Sequence, residues 1–248
     1  MDYVAQLQMM RQLLPFADIT QQITTCLRVI NELRQQQLPT VQLTPLGITD
    51  TQFVTAMLAN NDVQQYHYLR QCDHLLRNFR SYLEATFGMW AYINTSFLDE
   101  WVKQFGPHRY LEIMAGNGFI SAGLRQRQQN VICTDSFAWR AESTTGRQPW
   151  TKILPLDALT AVKRYASQVD VVIMSWSPDG DPVDWQVLQY LRQLSPQPLL
   201  FCIGERNGAT NSPLFWQHAH SLTDRRLLKV NAQYARFDLM HDRLYVMK

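Results

Sequence analysis

The residues best suited to chemistry fall between positions 110 and 158. A short apolar run, Tyr110–Met114, carries one acid, Glu112, and leads straight into Ala115-Gly116-Asn117-Gly118. Glycines at a strand-to-helix turn let the backbone approach a ligand closely, and the N–H groups of the following helix face the same point. Alone, a G-x-G turn is a weak signal, because many strands end in a tight turn. Glu112 sharpens it. A carboxylate just before the turn repels a diphosphate and suits a cation such as an ammonium or sulfonium. The next apolar run, Val131–Thr134, ends in Asp135 and Ser136. An acid there can accept hydrogen bonds from both hydroxyls of a ribose, although a solvated strand-end acid reads the same way. Leu156-Asp157-Ala158 follows a shorter run at Ile153-Leu154. Asp157 can accept from an exocyclic amine, or simply cap a helix.

Together the three acids describe a net-positive adenosine cofactor without phosphate, and S-adenosylmethionine (SAM) has that description. Residues 109–205 resemble the class I, Rossmann-like SAM-dependent methyltransferases. Arg109 to Gly118 is similar to that family's first motif, with Met114 and Ala115 ahead of Gly116 and only two of its glycines. The resemblance implies that Ala115, Gly116, Asn117 and Gly118 line the methionine portion of the cofactor. It implies that Asp135 and Ser136 hold the ribose, that Asp157 and Ala158 meet adenine, and that Glu112 and Ser175 complete the pocket. It also implies a mostly parallel sheet with an antiparallel C-terminal edge.

Where the fourth strand ends, Ser175-Trp176-Ser177-Pro178-Asp179 is distantly similar to the segment with which amino-methylating enzymes of the family grip a planar amine. Trp176 stands at a proline position and Asp179 where an aromatic belongs. Trp176 and Asp179 are the catalytic candidates, with packing and turn formation as their plainer roles. Methyl transfer is an in-line displacement that positioning can largely accelerate, so a dedicated base is not obligatory. Glu205 and Arg206, after the fifth strand, are candidate substrate contacts. His218 and His220 are one residue apart without an acid-rich ligand set, so no metal is expected. The four cysteines are widely spaced and read as free thiols.

These residues need a scaffold. After Pro107, apolar runs at Tyr110–Met114, Val131–Thr134, Val169–Met174 and Leu199–Ile203 alternate with amphipathic stretches at Ile120–Arg127, Leu159–Ala166 and Trp185–Leu194. That alternation predicts an α/β fold built on a parallel sheet. Leu227–Asn231 and Arg243–Met247 are expected to pair antiparallel at its edge. Residues 1–105 are expected to be a helical extension, a lid or substrate-recognition element, before a cofactor domain over 106–248. Ile19, Ile23, Cys26, Ile30 and Leu33 share one helix face. Asp18 with Gln21, Thr49 with Gln52 and Ser96 with Asp99 are capping signals. Asn60-Asn61-Asp62 breaks a helix, and another runs from Tyr66 to Gly88. Met89 to Asn94 forms an aromatic-rich link that either covers the cofactor or packs helices onto the sheet.

At 46% hydrophobic and 18% charged residues the composition is that of a globular protein, and a net charge of +2 neither points to a nucleic-acid partner nor excludes one. No apolar run is long enough to span a membrane and no leader pattern opens the chain, so a cytoplasmic location is expected. The reading is a methyltransferase that takes SAM and a small-molecule methyl acceptor. Nucleic-acid or protein methylation, a nicotinamide-dependent oxidoreductase and a non-catalytic SAM-binding protein are the alternatives. Arg125, Arg127, Arg140, Arg147 and Arg206 gathered at the cleft mouth would favour a nucleic acid.

Overall fold

The computed structural model describes residues 2–59, 62–142 and 145–248. Six helices come first: α1 (Tyr3–Leu13), α2 (Ala17–Arg34), α3 (Asp50–Ala59), α4 (Val63–Arg77), α5 (Phe79–Phe87) and α6 (Thr95–Phe105). The α/β part follows with β1 (Arg109–Ile113), α7 (Phe119–Gln126), β2 (Asn130–Asp135), α8 (Trp139–Glu142), β3 (Leu154–Pro155), α9 (Ala158–Tyr165) and β4 (Val171–Ser175). It closes with α10 (Val183–Leu191), β5 (Leu199–Gly204), α11 (Pro213–His218), α12 (Arg225–Ala232) and β6 (Arg243–Met247).

The strands form one sheet in the order β3-β2-β1-β4-β5-β6, parallel except for the antiparallel β5–β6 pair. This is the expected α/β sheet with an antiparallel C-terminal edge. Strand order reverses between β1 and β4, and such a reversal opens a crevice at the carboxyl ends of those two strands.

Period-two alternation assigns each strand residue to one of two cores. Leu111, Ile113, Val172, Met174, Leu200 and Cys202 face α9, α10 and α11. Tyr110, Val171, Ile173, Phe201 and Ile203 face the other way, into a core shared with the first six helices and α12. The apolar core is thus continuous across residue 106. Glu112 shares the parity of Tyr110, so its carboxylate enters an apolar face, where it is only 2% exposed.

Several local expectations change. The Thr49–Gln52 capping box forms, with Thr49 N donating to Gln52 Oε1 and Gln52 N to Thr49 Oγ1. Asp18 lies inside the first turn of α2, which starts after Phe16 without a side-chain cap. Asn94 rather than Ser96 caps α6, accepting from Phe97 N. The helix expected to run to Gly88 is two helices, parted at Asn78. Asn60 and Asn61 lie outside the described residues, while Asp62 caps α4. Leu227–Asn231, expected as a strand, is helical. Asp224 caps α12, and Leu227 and Val230, three apart, turn the same face into the core while Leu228 points outward. A Leu-Leu pair fits either period, and packing against α6 decides. Among the described residues no helix is long and apolar enough to cross a membrane.

Candidate functional site

The glycine turn leaves β1 through residues whose backbones are forced. Met114, Gly116 and Gly118 all have positive φ, at 52°, 56° and 77°. A Cβ built on Gly116 would meet nothing within 4 Å, so this α-carbon faces open space in the crevice. Gly118 faces protein instead, with Thr151, Ile153 and Cys133 around it. Ala115 and Gly116 are half-buried, and Ala115 N donates to Thr134 O, which joins the ends of β1 and β2.

Glu112 lies beneath this turn. Its Oε2 accepts from Ser121 N at 2.8 Å and from Ser121 Oγ. Ser121 is the third residue of α7, so Glu112 occupies the anion-binding end of that helix. Burial pushes the Glu112 carboxyl up to about 7, against the lowering effect of the two Ser121 hydrogen bonds.

Asp135 is 4% exposed and organises the adjoining loops. Oδ2 accepts from Gly116 N at 2.7 Å; Oδ1 accepts from Phe137 N at 2.6 Å and from Trp139 Nε1 at 3.0 Å. Ser136 is exposed, and its hydroxyl accepts from Ala138 N. Leu156 N donates to Asp135 O and so brings the start of α9 alongside. Asp157, however, is exposed and caps α9 by accepting from Thr160 N at 2.9 Å, an interaction that holds its carboxyl below the usual range. Ala158 is buried in the core on the α9 face.

Asn117 turns its side chain into the protein. Its Nδ2 donates to Phe87 O at 2.8 Å and to Gly146 O at 2.7 Å, clamping the turn to the end of α5 and to the 145–151 strap. Gly88 sits against this clamp with φ 69°, and a Cβ there would come within 2.4 Å of Asn117 Nδ2. The strap is tied further by Trp150 N to Asn117 O and by the Phe119–Trp150 ring contact at 4.7 Å.

Across the crevice β4 ends in Ser175, half-buried, and Trp176, whose φ is 53°. Ser177 Oγ lies 3.9 Å from Met114 Sδ, which marks how close the two strand ends run. Trp176 anchors a network that spans the chain. Its Nε1 donates to Asp242 Oδ2 at 2.8 Å, and Tyr234 OH donates to the same oxygen at 2.7 Å. The Arg80 guanidinium stands 5.1 Å over the Trp176 ring, pairs with both oxygens of Asp238, lies 3.8 Å from Asp242 and donates to Trp90 O. Trp90 is 6.1 Å from Trp176, centroid to centroid, and 43% exposed. Sequence reasoning weighed Trp90 and Trp176 but missed Arg80, Asp238 and Asp242. Arg80 and Asp238 are 158 positions apart, so no local pattern joins them.

Asp179 is exposed on the turn after Ser177, outside the network that holds Trp176. Glu205 braces its own loop, accepting from Ala209 N and from His241 N. Arg125 is committed to Thr151 and to the carbonyls of Lys152 and Val131. Arg127 is committed to Asp99 and to the carbonyls of Gly123 and Thr95. Arg140 lies over the Phe137 ring. Among the described residues no group of three His, Cys, Asp or Glu side chains is placed to hold a metal.

No family model and no curated protein matches the chain. Among solved structures it is similar to MtNAS in complex with S-adenosylmethionine, at 10% identity over 100% of this chain and 98% of that one, with a TM-score of 0.40. It is similar to the apo SAM-dependent methyltransferase SibL at 12% identity over 90% and 69%, with a TM-score of 0.34. A conserved hypothetical protein of Streptococcus pyogenes is 14% identical over 58% and 88%, with a TM-score of 0.33. These likenesses are distant, and the functional reading rests on the crevice between β1 and β4.

Proposed function

We propose that this protein is a SAM-dependent methyltransferase that transfers a methyl group to a small-molecule acceptor in the crevice between β1 and β4. The observation that carries this reading is the engagement of Glu112 with Ser121 N. In a dinucleotide-binding sheet, the helix after the glycine turn offers its N-terminus to a diphosphate. Here the buried Glu112 carboxyl already takes the Ser121 N–H, so that donor is not free for a phosphate, and in its ionised form the carboxylate repels phosphate and favours a cation. A nicotinamide dinucleotide is disfavoured on the same ground.

In this reading the Ala115–Gly116 backbone borders the methionine portion, with the bare α-carbon of Gly116 allowing close approach. Asp135 takes the ribose hydroxyls. Ser175 and Trp176 flank the methyl end, and the helical extension covers it by bringing Trp90 and Arg80 over β4. SAM supplies an electrophilic methyl group on a sulfonium. The chain's part is to hold the acceptor in line and to keep water out. Gly118 and Asn117 act beneath the turn and as its clamp, Asp157 and Ala158 order the start of α9 beside the adenosine end, and Asp179 is assigned no step. With Arg125 and Arg127 committed to protein carbonyls, a small acceptor suits the crevice better than a nucleic acid.

Titration with S-adenosylhomocysteine by calorimetry tests the reading. The wild type binds with a micromolar Kd, about −8 kcal/mol. Gly116→Ala folds, since its new methyl meets no protein atom and the left-handed backbone costs ~1–2 kcal/mol, but it binds at least tenfold more weakly. Asp135→Ala loses binding. A folded wild type that does not bind, or a Gly116→Ala variant that binds as tightly, refutes the proposal.

A further inference from the structure

We infer that Trp139 is the gate of the adenosine site: its indole holds Asp135 closed and must leave before a ribose can bind. The inference rests on the cofactor reading above and adds a residue to it. A carboxylate offers about four acceptor positions on its two oxygens. Three positions on Asp135 are filled, by Gly116 N, Phe137 N and Trp139 Nε1. At most one remains, and the two hydroxyls of a ribose need two. Binding therefore displaces one of the three donors.

The three are not equally free to go. Gly116 N belongs to the turn itself, between strand β1 and helix α7. Phe137 N closes a two-residue Asx turn that shapes the exit from β2. Trp139 Nε1 is the only side-chain donor of the three, on a half-buried residue that opens the four-residue helix α8. Rotation about its side-chain bonds breaks the contact without moving a strand. The hinge is in place as well. Phe137, a non-glycine residue, sits at φ 59°, a conformation the local hydrogen bonds hold at a cost. Arg140 stacks over both aromatic rings, 3.9 Å from the Phe137 centroid and 5.6 Å from that of Trp139, so the group can move together.

The expected signature is competition. Trp139→Phe keeps an aromatic ring, smaller than the indole, and removes the N–H, leaving Asp135 free for the ribose. S-Adenosylhomocysteine then binds roughly tenfold more tightly than to the wild type, the scale of one hydrogen bond to a charged acceptor. In ¹⁵N-labelled wild type the Trp139 indole N–H, identified by its loss in Trp139→Phe, exchanges slowly in the free protein. It shifts and exchanges faster once S-adenosylhomocysteine is added. A wild type that binds while the indole signal stays in place overturns the gate and leaves the cofactor reading intact, as does a Trp139→Phe variant that binds no more tightly. If neither protein binds, the cofactor reading falls and the gate falls with it.

Discussion

Replacing Arg80 with methionine tests how the helical extension is fastened over β4. Arg80 is 7% exposed, and its guanidinium sits between Asp238 and Asp242, whose side chain is fully buried. Methionine keeps much of the aliphatic bulk and removes the charge, so Asp242 is left buried with only the Trp176 and Tyr234 donors. Breaking a buried pair from one side costs ~3–5 kcal/mol. For a chain of this length each kcal/mol lowers Tm by roughly 2–4 °C, so a fall of about 10 °C is expected. The loss depends on pH. Burial already raises the Asp242 carboxyl above its ordinary value, and Arg80 opposes that rise. Without Arg80 the folded-state pKa climbs further, the folded protein binds the proton more tightly than the unfolded chain, and stability falls as pH rises. Arg80→Met should therefore be nearest the wild type around pH 5 and furthest from it around pH 8. Adding Asp242→Asn removes the stranded charge, so the double variant should be more stable at pH 8 than Arg80→Met alone. Urea unfolding at the two pH values reads all of this. A penalty below ~1 kcal/mol, a penalty equal at both pH values, or additive effects of the two substitutions would refute the reasoning.

Glu112 gives a second pH test. Its folded-state pKa near 7 lies above the ordinary carboxylate value of 4.5, so its ionisation opposes folding and the protein loses stability as pH rises through that window. Glu112→Gln removes that dependence. Relative to the wild type without cofactor it should gain on the order of 3 kcal/mol between pH 4.5 and pH 8, and parallel curves from chemical denaturation would contradict it. Asn117→Ala strands two carbonyls, Phe87 O and Gly146 O, and should cost ~2–3 kcal/mol. It should also loosen the strap, so trypsin cuts faster after Arg147, and unchanged cleavage would show that the clamp does not hold the strap.

The alternation of short apolar runs with amphipathic stretches was enough to place β1, β2, β4 and β5 with the helices α7, α9 and α10, and the shorter runs at Ile153-Leu154 and Arg243–Met247 fall on β3 and β6; the four-residue α8 was not expected. Period is a local property, and Tyr110–Met114 carries it without help from the rest of the chain. The acids were legible for the same reason, Glu112 within the first strand, Asp135 at the end of the second and Asp157 just after the third. What each acid does was not legible. Glu112 binds Ser121 because the pleat turns it toward α7, and Asp157 caps α9 because Thr160 N has no other partner in the first helical turn. Leu227–Asn231 misled because a pair of leucines satisfies two periods, and contact with α6 chose the helix. The capping of α6 by Asn94 instead of Ser96 is a shift of register that local chemistry leaves open.

By itself the sequence determined the fold class, the place of the glycine turn and the positions of its acids, since these follow from residue type and near-neighbour spacing. Tertiary structure alone decided the partners. Arg80 met Asp238 and Trp176, Asn117 met Gly146, and Trp139 turned back onto Asp135. A buried charge or amide takes whichever partner the packed elements bring within about 3 Å, and that choice exists only once the chain has closed on itself.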